Sequence, residues 1–356
     1  MYQTGGATLY QSPEWVRPFF QHVCGPSGGR LLLVLLKDSV GVPVLLLPLK
    51  IVRHQGVNVA QFIGGKHSNF NLPLVMAKAS QISPEELRRA LLAAGRRAGV
   101  DLFALLQQPY AWDGVSNPLR TLDAHPSANL GYLVTLKGKA GTDFVLKLSK
   151  GRRRKLLQKR SILQRSGDLV FRRASTTEEA RKVLSVFFLQ KAARMHEQGI
   201  GNPFEQNGIQ NFLKQAVIVD DASRNVSLEI YYLSLDGDIV AVYGLLADGR
   251  RASALFTSFG GTADVVRHGP GLVLLHEIVR DLTGRGFTQF DMGVGEAAFK
   301  SELCDETLPL FDSFLPVTGV GSVAALVAKS LHGLKRFIKQ SPRLMRLANH
   351  VRRNRP

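Results

Sequence analysis

Asp291, Glu296 and Lys300 lie close together in the stretch Phe290-Asp291-Met292-Gly293-Val294-Gly295-Glu296-Ala297-Ala298-Phe299-Lys300. Either carboxylate could take a proton from an amine or hydroxyl, and Lys300 could hold an anionic substrate or steady a developing oxyanion. The plainer alternative is a polar loop in which Lys300 pairs with one of the acids. Phe287–Asp291 reads as a strand, so these groups fall at its carboxyl end, where open α/β sheets place their ligands.

A second candidate is Arg267-His268-Gly269-Pro270-Gly271-Leu272, between a strand and a helix. Gly permits close backbone approach and Pro suits a first helical turn. The unpaired N–H groups of that turn attract anions, phosphate above all. No acid stands in the turn, whereas the corresponding helix of the first half begins Ser83-Pro84-Glu85-Glu86 and fills its own anion site. A simple tight turn is the alternative. A third candidate, His67-Ser68-Asn69-Phe70-Asn71, is rich in neutral hydrogen-bonding groups that suit sugar hydroxyls or an amine. His67 could serve as a base near neutral pH. The competing view has the Asn residues capping turns. His196 marks a helix end.

Other chemistries lack their motifs: there is no Walker phosphate loop, G-x-S-x-G elbow, HExxH or CxxC. With only Cys24 and Cys304, neither a disulfide framework nor a metal site is expected. Cys304 follows Lys300 without an evident base partner.

The 356 residues carry 46 Lys+Arg against 28 Asp+Glu, a net charge of +18. Two segments hold the excess: residues 137–173 sum to +11 and residues 317–356 to +9, while the remainder sums to −2. Such patches suit phosphates on a ligand, an anionic membrane or nucleic acid. Either patch alone could instead be a solvated helix face. No apolar run approaches the ~20 residues of a membrane span. Met1–Glu14 is too polar for a signal peptide, so a cytoplasmic chain is expected.

The elements that must position these residues come in a repeated order. In the first half, Ser12-Pro13 opens a helix, Leu31–Leu36, Val42–Val52 and Val57–Ile63 read as strands, and the Ser83 capping box opens a second helix. Strands follow at Leu102–Leu106 and Tyr132–Leu136. In the second half, Thr176 opens a helix, and Leu228–Leu235 and Ile239–Ala247 flank the turn Asp236-Gly237-Asp238. Ala252–Phe259 is a third strand, a helix runs from about Gly271 to Thr283, and Phe287–Asp291 and Leu310–Leu315 are strands. A basic helix with a thin apolar stripe follows Gly151. The tail carries an apolar face of Val323, Leu326, Val327, Leu331, Leu334, Phe337 and Ile338, flanked by Lys329, Lys335, Arg336 and Lys339. Pro342 is expected to end it.

A three-strand meander followed by a strand–helix–strand crossover resembles the GNAT acetyltransferase fold, and two halves in tandem resemble the FemABX aminoacyl ligases. The expected fold is α/β (α+β). It has two tandem GNAT-like domains, 1–148 and 149–316, each a mixed, mainly antiparallel sheet flanked by helices. A basic amphipathic helical tail, 317–356, completes it. The GNAT resemblance implies that Gly269 and Gly271 take the pyrophosphate of acetyl-CoA, with Arg267 and Leu272 beside them. The family's Arg/Gln position falls on Val266, so Arg267 stands one residue late. Ala254, Leu255, Phe256 and Thr257 would then line the pantetheine arm.

The order Asp–x–Gly–x–Gly–Glu–x3–Lys resembles the signature of the CelD-type acetyltransferases of cellulose and other exopolysaccharide biosynthesis. In that family the residue before the Lys is usually aromatic, as Phe299 is. Ser12-Pro13-Glu14-Trp15, Leu47-Pro48-Leu49 and the Phe62–Leu74 loop resemble it too, over about residues 9–316. The resemblance implies acyl transfer from acetyl-CoA or another acyl-CoA to an amine or hydroxyl of a saccharide or lipid-linked saccharide. Asp291, Glu296 and Lys300 would be catalytic, and His67, Asn69, Asn71 and Arg152 would hold the acceptor between the halves. Residues 322–356 would touch the anionic inner membrane face. The alternatives are FemABX-like transfer from aminoacyl-tRNA and an inactive GNAT-fold module binding membrane or nucleic acid; nucleic acid ranks below the saccharide.

Overall fold

The computed structural model describes residues 6–76, 82–136, 148–219, 223–296 and 298–341. Part of the first basic segment (137–147) and the end of the second (342–356, with the expected Pro342 stop) lie outside the described residues. So does Ala297.

Two compact units account for the chain: residues 1–131 with 308–356, and residues 132–307. These limits differ from 148/149 and 316/317. The chain changes unit inside strand β8 (Ala124–Thr135) and again inside β14 (Glu306–Pro316). A passage inside a strand carries no linker composition, and the tail helix belongs to the first unit because it packs there.

The first unit follows the order expected from its sequence as far as the strand after its second helix; its last strand is not Tyr132–Leu136, which belongs to the second unit, but the stretch that holds Leu310–Leu315. The Ser12 hydroxyl accepts the Trp15 N–H and starts α1 (Pro13–Phe19). Strands β1 (Arg30–Lys37), β2 (Pro43–His54) and β3 (Val57–Phe62) form an antiparallel meander. A short β4 (Leu74–Val75) pairs with β2. Helix α2 (Pro84–Ala98) begins with the reciprocal Ser83–Glu86 capping box and ends at Gly99. Strand β5 (Leu102–Pro109) runs parallel to β3, and a small hairpin joins β6 (Ala111–Trp112) to β7 (Val115–Ser116). The later part of β14 pairs antiparallel with β5. One sheet face packs Leu45, Leu47, Phe103 and Phe311 against Leu87 and Leu91 of α2. On the other face Val59, Leu102, Ala104 and Phe314 meet Ala325 of the tail helix.

In the second unit, α3 (Lys150–Ser166) is the expected basic helix, with Leu156 and Leu163 turned into the core. Strand β9 (Leu169–Arg173) was not evident in the sequence. Helix α4 (Thr177–Glu197) starts where the Thr176 side chain accepts the Glu179 N–H, and α5 (Ile209–Ala216) follows. Strands β10 (Ser227–Leu235), β11 (Asp238–Ala247) and β12 (Arg251–Phe259) continue antiparallel from β9. After α6 (Ala263–Arg267), helix α7 (Pro270–Gly284) crosses over to β13 (Gln289–Val294), which lies parallel to β12. The stretch after β13 is a short helix, α8 (Ala298–Leu303), rather than a loop. In the first unit, β14 leads into α9 (Gly319–Gln340).

Two details of β12 position the site. Its register with β11 slips between Gly244↔Phe256 and Leu245↔Ala254, so Leu255 is an extra residue, a bulge. Phe256 then packs, tilted by 31°, against Phe187 at 4.3 Å and leaves no room at Gly244, where a Cβ would come within 2.2 Å of the Phe256 ring. Gly244→Val is therefore expected to lower stability by about 1–3 kcal/mol through overpacking. A shifted denaturant midpoint measures it, and an unchanged midpoint contradicts the packing argument.

Candidate active site

The parallel ladder between β12 and β13 is three pairs long, from Arg251↔Gln289 to Ser253↔Asp291. Beyond it the two strands part. Asp291, buried to 1% exposure, is the last paired residue, so its carboxyl stands at the opening. The Gly293 N–H turns back to donate to Asp291 Oδ1 at 2.9 Å, which the left-handed φ of 78° at Gly293 allows. Ser253 also hydrogen-bonds the carboxylate, while its Oδ2 has no partner among the described residues. Burial pushes the Asp291 carboxyl up to about 6, against the Ser253 and Gly293 hydrogen bonds and the Arg251 and Lys300 cations.

Lys300, on α8, reaches back toward this carboxyl. Its ammonium donates to the Val294 carbonyl at 3.3 Å and lies 5.8 Å from the Tyr132 ring centroid. Burial lowers its pKa, opposed by Asp291 and Cys304. It forms no ion pair with Asp291 or Glu296 among the described residues, so the simple paired loop is not what forms. Glu296 is exposed. Its charge nevertheless adds to burial in raising Tyr132. Burial, then Asp291 and Cys304, raises Tyr243. Cys304 is pushed up to about 12 by burial, against Lys300 and with Asp305 and Asp291 adding to the rise. It is thus a thiol at neutral pH and not a ready nucleophile. Tyr243, the Cys304 thiol and the Lys300 ammonium thus lie within electrostatic reach of one carboxylate poised near neutrality.

The phosphate-type turn has the features expected of it. Gly269 is the N-cap of α7 with φ 61°, no side chain caps the helix, and its first turn holds no acid. A Cβ on Gly269 would stand 3.2 Å from Lys159 Nζ, so α3 brings a cation to this turn. Arg160, the next residue, meets Glu277 of α7 at 3.1 Å and fixes that approach. Gly271 packs over Phe259, which lies 4.2 Å under the Arg194 guanidinium. Arg267, by contrast, is tied to Asp264 of its own short helix and is 70% exposed. On β12, Ala254 and Phe256 are buried while Leu255 and Thr257 are half-buried; Lys191 donates to the Thr257 carbonyl at 3.4 Å.

The remaining expected residues divide between the two units. Arg152 bridges Glu302 of α8 at 2.7 Å. His67, Asn69 and Asn71 belong to the first unit, and the other expected residues to the second. The Asn69 amide donates to Tyr10 Oη at 2.6 Å and the Asn71 amide to the Leu106 carbonyl at 3.0 Å, so both tie the loop to residues distant in sequence rather than capping its own turns. Burial first, then Lys66 and Lys50, lowers His67 to about 4, so it is neutral near pH 7. Lys159, Lys191, Tyr132 and Ser253 were missed. Lys159 carried a usable signal: it lies three residues from Leu156 and four from Leu163, on the core-facing side of α3.

The raised Asp291 value has a thermodynamic consequence. Its folded-state pKa lies above the ordinary 3.8. The stability it contributes is full below that value and is lost as pH rises through about 6. The loss is of order 3 kcal/mol. Asp291→Asn should remove this dependence, so the wild-type minus variant stability must fall between pH 4 and 7 (roughly, from that shift) in denaturant unfolding. Parallel curves would show that the carboxyl is not held this way.

Residues 150–301 match the family model described as an acetyltransferase (GNAT) domain. No curated protein matches the chain. Among solved structures, FemX is similar at 10% identity and TM-score 0.60, over 90% of this chain and 95% of that one. The C-terminal domain (DUF2156) of a proposed lysylphosphatidylglycerol synthetase from Agrobacterium fabrum is similar at 15% identity and TM-score 0.55, over 91% and 93%. L-PGS from Bacillus licheniformis is similar at 13% identity and TM-score 0.50, over 93% and 98%. The fold is therefore GNAT-like, and the family match covers α3 through the catalytic candidate Lys300.

Proposed function

We infer that this chain is an acyltransferase that moves an acyl group from acyl-CoA to an amine or hydroxyl. The observation that carries the reading is Asp291: a buried carboxyl with a pKa near 6, standing where β12 and β13 part. In this reading Asp291 takes the proton of the attacking amine or hydroxyl. That group forms the new C–N or C–O bond at the thioester carbonyl, the C–S bond breaks, and the thiolate leaves to be protonated by water. Lys300 steadies the oxyanion. The β12 segment Ala254–Thr257 lines the pantetheine arm, and the Gly269–Leu272 turn with Lys159 takes the pyrophosphate. Arg267 is left to Asp264. Among the described residues no group of His, Cys, Asp and Glu could hold a metal ion, and the proposed steps call for none. Support for a saccharide or lipid-linked saccharide as acceptor comes from the CelD-type motif running from Asp291 to Lys300.

A second reading, transfer from aminoacyl-tRNA, draws on α3, whose Arg154 and Lys155 are exposed and whose Arg152 remains 53% exposed beside Glu302. Thermal unfolding separates the two. Micromolar-range acetyl-CoA is expected to raise the midpoint. No shift, together with steeply salt-dependent tRNA binding, would favour the second reading.

Gly271→Glu is expected to abolish acyl-CoA binding without unfolding the protein. Its Cβ would meet Phe259 at an ordinary 3.4 Å, and an acid in the first turn favours the helix by ~0.3–1 kcal/mol while repelling phosphate. Calorimetric titration reads this, and unchanged affinity would refute the turn assignment. With acetyl-CoA and an accepted amine or alcohol, kcat/KM should rise with pH as Asp291 loses its proton near 6. Asp291→Asn should cost on the order of 10²–10⁴-fold. An active variant with an unchanged profile assigns the base elsewhere.

A further inference from the structure

Helix α9 is amphipathic in the reverse sense of an ordinary surface helix. Its sheet side is small: Gly321 and Ala325 are buried, and Ala324 and Ala328 pack against β3, β5 and β14. Its far side carries Val323, Leu326, Val327, Leu331, Leu334 and Phe337, each between 53% and 67% exposed. Polar contacts hold the helix in this orientation. The Thr318 hydroxyl donates to Asp101 Oδ1 at 2.7 Å, His332 Nδ1 lies 3.0 Å from Asp312 Oδ2, and Lys329 pairs with Asp123. The apolar face is thus aimed away from its own unit along a helix ~33 Å long. Nothing within the described first unit covers it.

We propose that this face docks on the surface of an anionic lipid bilayer. The charge around it selects that occupant. Residues 317–356 hold nine Lys/Arg and no Asp or Glu, and the exposed Lys335 sits beside the apolar arc. A second copy would bring two such segments together with no acid between them to pair. An apolar face bordered by Lys and Arg is the pattern of a helix lying in the headgroup boundary, where anionic lipid supplies the missing counter-charge. The helix does not cross: no described helix is long and apolar enough to span a membrane.

The test is flotation of the full chain with phosphatidylcholine vesicles, with and without about 30% phosphatidylglycerol. The expected result is binding to the anionic vesicles only, weakened by salt, and reduced at least ~10-fold in the double variant Val327→Asp, Leu334→Asp. The thermal midpoint of that variant should match wild type, because both side chains face solvent; Lys335→Glu, a change outside the apolar arc, should weaken binding in the same direction. Anionic-vesicle binding indifferent to the double variant, or dependent only on residues 342–356, overturns the proposal. So does the absence of vesicle binding alongside a concentration-dependent dimer that the same variant dissolves, which would make the face a contact between copies.

Discussion

The second unit is organised around the brevity of one parallel contact. Strands β12 and β13 share three residue pairs and then separate, while β12 runs on to Phe259 and β13 to Val294. A longer ladder would close the opening and leave Asp291 inside the paired stretch rather than at its end. The parting is held from both sides. On β12, the Leu255 bulge and the Phe256 anchor turn the strand; on β13, the Gly293 N–H folds back onto Asp291. A parallel pair needs a crossover, and α7 supplies it, burying Val273, Leu274 and Ile278. Although α6 intervenes, Gly271 of that helix packs over Phe259 at the end of β12, so its uncapped first turn comes near the strand segment that parts from β13. The sheet therefore brings an uncapped helix turn and a buried carboxylate to the same pair of strands.

A half-buried charge cluster in the same unit makes the contrast clear. Glu229 accepts both Arg285 and Tyr231, with Arg285 Nη2 at 2.6 Å, and Asp281 accepts Tyr231 at 2.7 Å. Although burial opposes ionisation of Glu229, these partners hold it below the ordinary carboxylate range. Arg173 also pairs with Glu229, so two cations meet two carboxylates and the group serves as a fixed strut between β10 and α7. Asp291 differs in each respect. One oxygen is unpartnered among the described residues, the neighbouring ammonium bonds a backbone carbonyl instead, and burial wins. Stability would be better served by an apolar residue there. A carboxyl retained at that cost is a group whose proton can move at neutral pH.

Legibility in the sequence followed how local each determinant is. The Ser12, Ser83 and Thr176 caps and the Asp236-Gly237 hairpin are written in adjacent residues, and the structure has each of them. Asp291 and Lys300 could be singled out because nine positions and two glycines keep them on one turn of chain. What was hidden depends on partners far away. Strand β9 is short, ends in Arg172-Arg173 and is only half-buried at best, so it has no strand pattern without β10 beside it. Helix α8 is six residues long, below the length at which a stripe can be seen. Tyr132 looks like any core aromatic until Lys300, distant in sequence, comes within reach of its ring.

The tail helix shows a further limit of periodicity, because a stripe reports that one side is apolar and not what that side meets. In α9 the conventional reading, apolar stripe to the core, is inverted. The sheet it must cover is formed by Val59, Ala104 and Phe314, and a helix bearing Leu and Phe on that side would stand farther off. Gly321 lies so close to β5's approach that a Cβ would fall 1.7 Å from the Asp101 carbonyl oxygen. Close approach thus selects the glycine and alanine side for packing, and the large side chains are displaced outward by geometry rather than by lack of affinity for a core. The Thr318, His332 and Lys329 contacts then fix the rotation. A chain that needed only a folded unit could carry polar residues on that outer arc at no cost to packing. Valine, leucine and phenylalanine on that arc are therefore not demanded by the packing of this unit.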